Sequence, residues 1–280
     1  MQIIGVDLGG TQMRAGLVKD SAVITTAAAA VKPGGAKEEI LDDLCDLIAH
    51  VRSPEVKGIG VGAPSVVDTE KGIVYDVINI PSWQEVHLAE ALRDRFGVPV
   101  FVNNDANCFA VGEMYFGKTA GFRDSVGLIV GTGLGAGVII NHKLYSGSHC
   151  GAGEFGMIAY QDGILEHYGS GQFFQRRYGR NGEEVAAAAG AGDEEALAIF
   201  AEFGRHLSEA FKIILYALDP QIIVMGGSVS KSFAFFQHAL YQGLQTFVYS
   251  HSLAQFKITV SELPQAAILG AAALYLDATA

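Results

Sequence analysis

The sequence predicts an α/β protein, and three observations carry that assignment. Short apolar runs alternate with amphipathic stretches from one end of the chain to the other. Three of the apolar runs stop at glycine-rich turns: Gly9-Gly10-Thr11, Gly131 to Gly137, and Gly226-Gly227-Ser228. Residues 3–18 and 126–140 also share one pattern of strand, glycine–threonine turn and strand, which suggests two related domains.

Each element follows from its residues. Ile3–Val6 closes at Asp7-Leu-Gly-Gly-Thr11 and apolar character resumes over Ala15–Val18, which reads as strand, tight turn, strand. Ile40, Leu41, Leu44, Leu47, Ile48 and Val51 keep a helical period, predicting a helix over 38–51. Val56–Val61 is a strand leading into Gly62-Ala-Pro-Ser65. A helix over 85–96 precedes the strand Val98–Val102, which runs into Asn103-Asn104-Asp105, and 106–116 is helical. Ser125–Val130 and Gly137–Ile140 are strands flanking the second glycine turn. A long helix fits 193–218 and must stop before Pro220. The buried strand Gln221–Met225, a helix over 231–248, a strand over 256–261 and a small-residue helix over 266–277 complete the chain.

Composition narrows the function. The chain has 280 residues, 35 of them glycine, against roughly 7% glycine in an average protein. Proline is scarce at 7 residues and no Gly-X-Y period appears, so the excess is not of collagen type. Half of the residues are apolar and 18% are charged, which excludes disorder. A net charge of −11 speaks against binding nucleic acid or an anionic membrane surface. Cys45, Cys108 and Cys150 form no Cys-x-x-Cys pair and suit small buried side chains in a reducing cytosol. No signal peptide and no membrane span are read, so a cytoplasmic protein is expected.

The chemistry concentrates at strand ends. Glycine lets backbone amides approach a phosphate with no Cβ in the way, and three such turns point to a polyphosphate held from several sides. Asp7, beside the first turn, either holds Mg²⁺, directly or through water, or bonds its own turn. Asn104-Asp105 ends a strand and opens a helix. A carboxylate there can accept a hydroxyl proton during phosphoryl transfer, and the same residues suit a helix N-cap. Two other motifs are decoys. Gly112 to Thr119 matches the P-loop expression but lies on helix 106–116, with a bulky acidic interior. Gly131 to Ala136 fits the dinucleotide pattern yet feeds a strand where a helix is required.

Taken together, these residues resemble the sugar kinases of the ROK family, in the actin-like ATPase superfamily. The resemblance runs from Ile3 to about Leu276. It is carried by Asp7-Leu-Gly-Gly-Thr11, Gly62-Ala-Pro-Ser65, Asn79-Ile-Pro-Ser-Trp83, Asn104-Asp105-Ala-Asn107, Gly131 to Gly137, Gly153-Glu-Phe-Gly156, Leu165 to Gly171 and Gly226-Gly-Ser228. It implies two RNase H-like domains with a ligand cleft between them, residues 1–104 with 266–280 forming one and 105–265 the other. By the same likeness Asp7, Gly9, Gly10, Thr11, Gly131, Thr132, Gly133 and Gly135 face the phosphates of ATP, and Gly226 and Gly227 the adenosine. Ser65, Asn79, Asn104, Asp105, Glu154 and Glu166 belong to the sugar, with Asp105 as general base and Mg²⁺ near Asp7.

Two departures stand out. Family members typically carry Glu-x-Gly-His and then a cysteine-rich zinc segment. Here Met157 occupies the histidine position and the cysteine hairpin is missing, so no structural zinc is expected. The family's repressor branch places a winged helix-turn-helix before the kinase-like region. With the first strand at Ile3 and a charge of −11, DNA binding is not expected. The resemblance therefore implies an ATP- and Mg²⁺-dependent hexose kinase acting on a glucose-type 6-hydroxyl, as a homodimer. The alternatives are an N-acetylmannosamine or other N-acetylhexosamine kinase, and an idle sugar-binding regulatory protein of the same fold.

Overall fold

The first two apolar runs pair as antiparallel strands, β1 (Gln2–Leu8) and β2 (Gln12–Lys19), with Asp7 opposite Arg14. A computed structural model, which describes residues 1–77 and 79–280, extends this hairpin with β3 (Ala22–Ala30). No apolar alternation signals that strand, since it is a mostly exposed edge rich in alanine and threonine. Helix α1 (Lys37–Val51) buries Ile40, Leu44, Leu47, Ile48 and Val51, the face its period marks. Strand β4 (Val56–Ala63) follows. Next come three short strands, β5 (Val66–Asp68), β6 (Ile73–Tyr75) and β7 (Glu85–Val86), in a sheet of their own. Because Glu85 and Val86 pair with β6, α2 (Leu88–Phe96) starts later than its expected 85. Strand β8 (Val100–Asn104) begins after Pro99, which has no N–H to donate. It runs directly into α3 (Asp105–Phe116), capped by the Asn104 side chain.

Later elements repeat the plan. Strands β9 (Ser125–Val130), β10 (Leu134–Ile140) and β11 (Lys143–Tyr145) are followed by a tiny hairpin, β12 (Ala159–Tyr160) and β13 (Gly163–Ile164). Three short helices then appear that no periodicity announces: α4 (Leu165–Gly169), α5 (Gln172–Tyr178) and α6 (Gly182–Gly190). Helix α7 (Glu194–Leu218) ends as expected, on Asp219 in the left-handed region at φ 45° before Pro220. Strand β14 (Ile222–Gly226) comes next. The single helix expected over 231–248 is instead a 3₁₀ turn at Val229–Ser232, α8 (Phe233–Leu244) and α9 (Ser250–Gln255). Strand β15 (Lys257–Val260) and α10 (Ala266–Thr279) close the chain.

The internal echo is a repeat of topology. One sheet has the order β3-β2-β1-β4-β8 and the other β11-β10-β9-β14-β15, so each runs 3-2-1-4-5 in its own numbering. In both, the first, fourth and fifth strands are parallel. Their carboxyl ends therefore share an edge, the position where ligands bind in open α/β sheets. The chain divides into two compact units, residues 1–121, 137–152 and 262–280, and residues 122–136 and 153–261. The boundary expected at 104/105 thus lies inside the first unit, because α3 packs on α10. A Cβ on Gly112 would sit 2.8 Å from the Gly270 Cα, and one on Gly270 2.4 Å from the Cys108 carbonyl oxygen, so the helices meet backbone to backbone.

The cores differ in character. The first unit buries aliphatic side chains with Trp83 and all three free cysteines. The second is aromatic, with Phe173, Phe174, Phe200, Phe203, Phe211 and Phe236 fully buried. Among the described residues no helix is long and apolar enough to cross a membrane.

Both decoys resolve. Gly112–Phe116 lies within α3, the Lys118 amide donates to Glu113 Oε2 at 2.8 Å, and Lys118 Nζ pairs with Glu262 Oε1 at 2.6 Å. The Gly131 turn leads into β10, a strand. Two measurements follow. Lys118→Ala breaks only an exposed ion pair, so nucleotide affinity by calorimetry should change by no more than about twofold. A Cβ on Gly60 would lie 1.8 Å from the Ala271 carbonyl oxygen, so Gly60→Ala should lower stability to urea by about 1–3 kcal/mol or more.

Candidate functional site

In the first unit, β1, β4 and β8 end at one level, with Asp7 beside Gly62 and Gly62 beside Asn103. Gly62 keeps this edge open, since a Cβ there would press on Cys108 Sγ at 3.2 Å. Beyond Asp7 the chain turns through Gly9, whose amide donates to the Gln12 carbonyl at 2.9 Å. Gly10 has a second reason to be glycine: its missing Cβ would fall 2.4 Å from Asn79 Nδ2. Asn79 therefore covers the turn. Thr11 is exposed at its tip.

The two acids of this edge differ in their surroundings. Asp7 Oδ2 accepts from Arg14 at 2.5 Å (Nη2) and 3.1 Å (Nε), a pairing that the hairpin register dictates. That leaves Oδ1 for water or a cation, so the donor chemistry suits a magnesium ion held near Asp7. Asp105 stands at the first turn of α3, where its Oδ1 accepts from the Ala106 amide at 2.8 Å. Its carboxyl touches water but is crowded by protein, and this loss of solvent raises its pKa above the usual carboxylate value. The Ala106 amide pulls the other way, and the negative charge of Asp7 adds to the rise.

Neighbouring polar groups are tied down. Asn104 Oδ1 caps α3 through the Ala106 amide at 2.8 Å, and its Nδ2 reaches the Ser65 carbonyl at 3.4 Å. The Ser65 hydroxyl donates to the Tyr75 carbonyl and so presents its lone pairs as acceptors. Beneath them Asn103, which no motif of the sequence marks, is a buried hub. Its Oδ1 accepts from the Asn104 amide, Asn107 Nδ2 and the Cys150 thiol, and its Nδ2 donates to Ser146.

The other expected site residues lie in the second unit. Gly131, Thr132, Gly133 and Gly135 form the turn and the start of β10, and Gly226 and Gly227 end β14. Gly227 has φ 89°, and a Cβ on it would meet the Val130 carbonyl oxygen at 2.4 Å. Next to these glycines opens a cavity of about 650 Å³, within the range of ligand pockets. Gly131, Thr132, Phe174, Arg180, Ser228 and Lys231 are among its walls. The walls from α5, α6 and the 3₁₀ turn lay outside the sequence argument, because those elements have no periodic signature. Glu154 precedes a 3₁₀ turn over Phe155–Met157, and Glu166 lies in the first turn of α4.

Met157 is exposed. The hairpin after it is fastened by Tyr160, whose hydroxyl lies 3.0 Å from His206 Nδ1, and by Tyr168, which donates to Asp162. Among the described residues no group of three or more His, Cys, Asp or Glu is placed to hold a metal ion.

Comparison with known proteins places the chain in a family. The family model of the ROK family matches residues 3–278. A glucokinase from Thermotoga maritima is 29% identical over 98% of this chain and 97% of its own length. An N-acetyl-D-glucosamine kinase from Escherichia coli is 30% identical over 81% of this chain and 84% of its own. A crystal structure of a ROK family glucokinase from Streptomyces griseus, in complex with glucose and AMPPNP, superposes with a TM-score of 0.81. It is 29% identical and covers 98% of this chain and 99% of that one.

Proposed function

The chain belongs to the ROK family, and from that premise we propose that it is an ATP- and Mg²⁺-dependent hexose kinase. It transfers the ATP γ-phosphoryl group to a sugar hydroxyl, the glucose-type 6-hydroxyl above all. The observation that carries this reading is Asp105. It is a carboxylate of raised pKa, held by its own helix at the carboxyl edge of three parallel strands and beside a glycine turn with a second acid.

Asp105 accepts the proton of the attacking hydroxyl. Ser65, Asn79 and Asn104 orient the sugar in the first unit, and Glu154 and Glu166 meet other hydroxyls. Asn104 has its oxygen engaged in capping and so recognises a hydroxyl through its amide N–H. The amides of Gly9, Gly10 and Thr11, and of Gly131, Thr132, Gly133 and Gly135, face the triphosphate. Adenosine occupies the cavity beside Gly226 and Gly227. Magnesium, when bound near Asp7, offsets charge on the transferred group. By family likeness the protein is a cytoplasmic homodimer with no nucleic-acid partner.

Met157 favours a second reading. A thioether in place of the usual histidine removes one sugar contact, so an N-acetylhexosamine, N-acetylmannosamine included, is the rival substrate. A coupled assay across hexoses and N-acetylhexosamines separates the two. Sugar binding by calorimetry with a flat assay would instead mark an idle regulatory protein.

On the best sugar, Asp105→Asn should lower turnover by about 10²–10⁴-fold, and unchanged turnover would remove Asp105 from the base role. The base works ionised and its pKa is raised, so activity should fall on acidification with a midpoint shifted upward from that of an ordinary aspartate. The same rise means that the fold is favoured by protonation below the unfolded pKa, a gain lost by neutral pH. Asp105→Asn keeps an acceptor for the Ala106 amide, so its melting temperature at pH 7 should be no lower than wild type.

A further inference from the structure

Glu166 is assigned to the sugar by family likeness, yet each oxygen of its carboxylate already accepts one hydrogen bond, one from the phosphate-facing turn and one from Gln172. Oε2 accepts from the Leu134 amide at 2.9 Å, and Oε1 accepts from Gln172 Nε2 at 2.8 Å. A Cβ on Gly133 would lie 2.6 Å from Oε2. A side chain there would displace the carboxylate from its present place, and Gly133 is not among the glycines at positive φ.

The rest of the segment works toward the same turn. The Ser170 hydroxyl, fully buried, lies 2.7 Å from the Glu166 carbonyl oxygen and 3.1 Å from the Thr132 carbonyl oxygen, and it accepts from the Gln172 amide at 3.2 Å. The Gly171 amide donates to the Gly131 carbonyl at 2.7 Å. The Gly131 carbonyl accepts from the segment 166–171, the Leu134 amide donates to it, and the Thr132 carbonyl lies within reach of the Ser170 hydroxyl.

We propose that Glu166 is a positioning residue of the nucleotide turn, whatever it also contributes to the sugar. A carboxylate at this place cannot attract a triphosphate. What it does is hold the Leu134 amide and, with Ser170, set the direction of the remaining amides before any ligand arrives. A sugar that draws on the same carboxylate then acts on the nucleotide turn, and binding of the two is coupled through one side chain. This rests on the reading that residues 131–135 face ATP.

The test is calorimetry of wild type, Glu166→Gln and Ser170→Ala with a non-hydrolysable ATP analogue and Mg²⁺ in the absence of sugar, and with sugar in the absence of nucleotide. Melting curves check the fold of each. Both variants should bind the analogue about tenfold more weakly, the size of one lost charge-assisted or buried hydrogen bond. Ser170→Ala should keep its sugar affinity. Glu166→Gln gives the Leu134 amide a neutral acceptor in place of a carboxylate and turns a donor toward Gln172, which meets it only by turning its own amide over. Combining Glu166→Gln with Gln172→Glu restores an acceptor for each donor and should recover much of the affinity. If Glu166→Gln loses sugar affinity alone and both variants bind the analogue like wild type, Glu166 is only a sugar contact and the proposal falls. If Ser170→Ala fails to fold, the exchanged pair decides, and no recovery overturns the proposal. A wild-type protein that binds no analogue refutes the ATP reading itself, a different outcome from equal binding by all variants.

Discussion

The first unit is organised by how closely helix α10 lies on strands β1 and β4. Gly5 and Gly60 have no side chain, and a Cβ on either would come within 2.0 Å of a carbonyl oxygen of that helix. Contact at this range keeps strands and helix in register, because packed backbone has no soft rotamer to yield. The consequence reaches the site. With β1 and β4 held level, Asp7, Gly62 and Asn103 align across the sheet, and α3, which meets α10 through Gly112 and Gly270, starts at Asp105 beside them.

That constraint also redistributes the glycines. Twelve of the 35 fall in 127–171 and four in 5–16, a concentration that reads in the sequence as backbone bared for ligands. The reading suits Gly131, which lines the cavity and where a Cβ would meet no atom nearer than 3.9 Å. It does not suit Gly5 and Gly16, which face Ile268 of α10, or Gly133, which faces Glu166. Some glycines leave backbone bare and others let backbone pack closely, and composition has no means of separating them. A glycine beside a phosphate and a glycine beneath a helix are the same letter.

The acids of the first unit divide along similar lines. Asp7 is paired with Arg14, whereas Asp105 has a backbone amide, the negative charge of Asp7 nearby and protein crowding a carboxyl that still reaches water. An acid whose proton is harder to lose suits proton transfer at a hydroxyl. The difference comes from the hairpin register on one side and helix capping on the other, so local structure sorts two chemically identical groups.

The sequence by itself determined the α/β class, the duplicated strand–turn–strand plan, the helices 38–51 and 193–218, the two decoys and the family, because each depends on local period or on an ordered set of short motifs. Only the tertiary structure decided where α3 belongs, that β3 and the small helices α4 to α6 exist, and that Arg14, Asn103 and Ser170 stand behind the site. Those features arise from partners distant in the chain. Arg14 is legible once the hairpin register is known, but the Asn103 hub joins residues 103, 107, 146 and 150, and the Glu166 brace joins 134 to 172. Periodicity records which side of an element is buried. It carries no record of what lies across the gap.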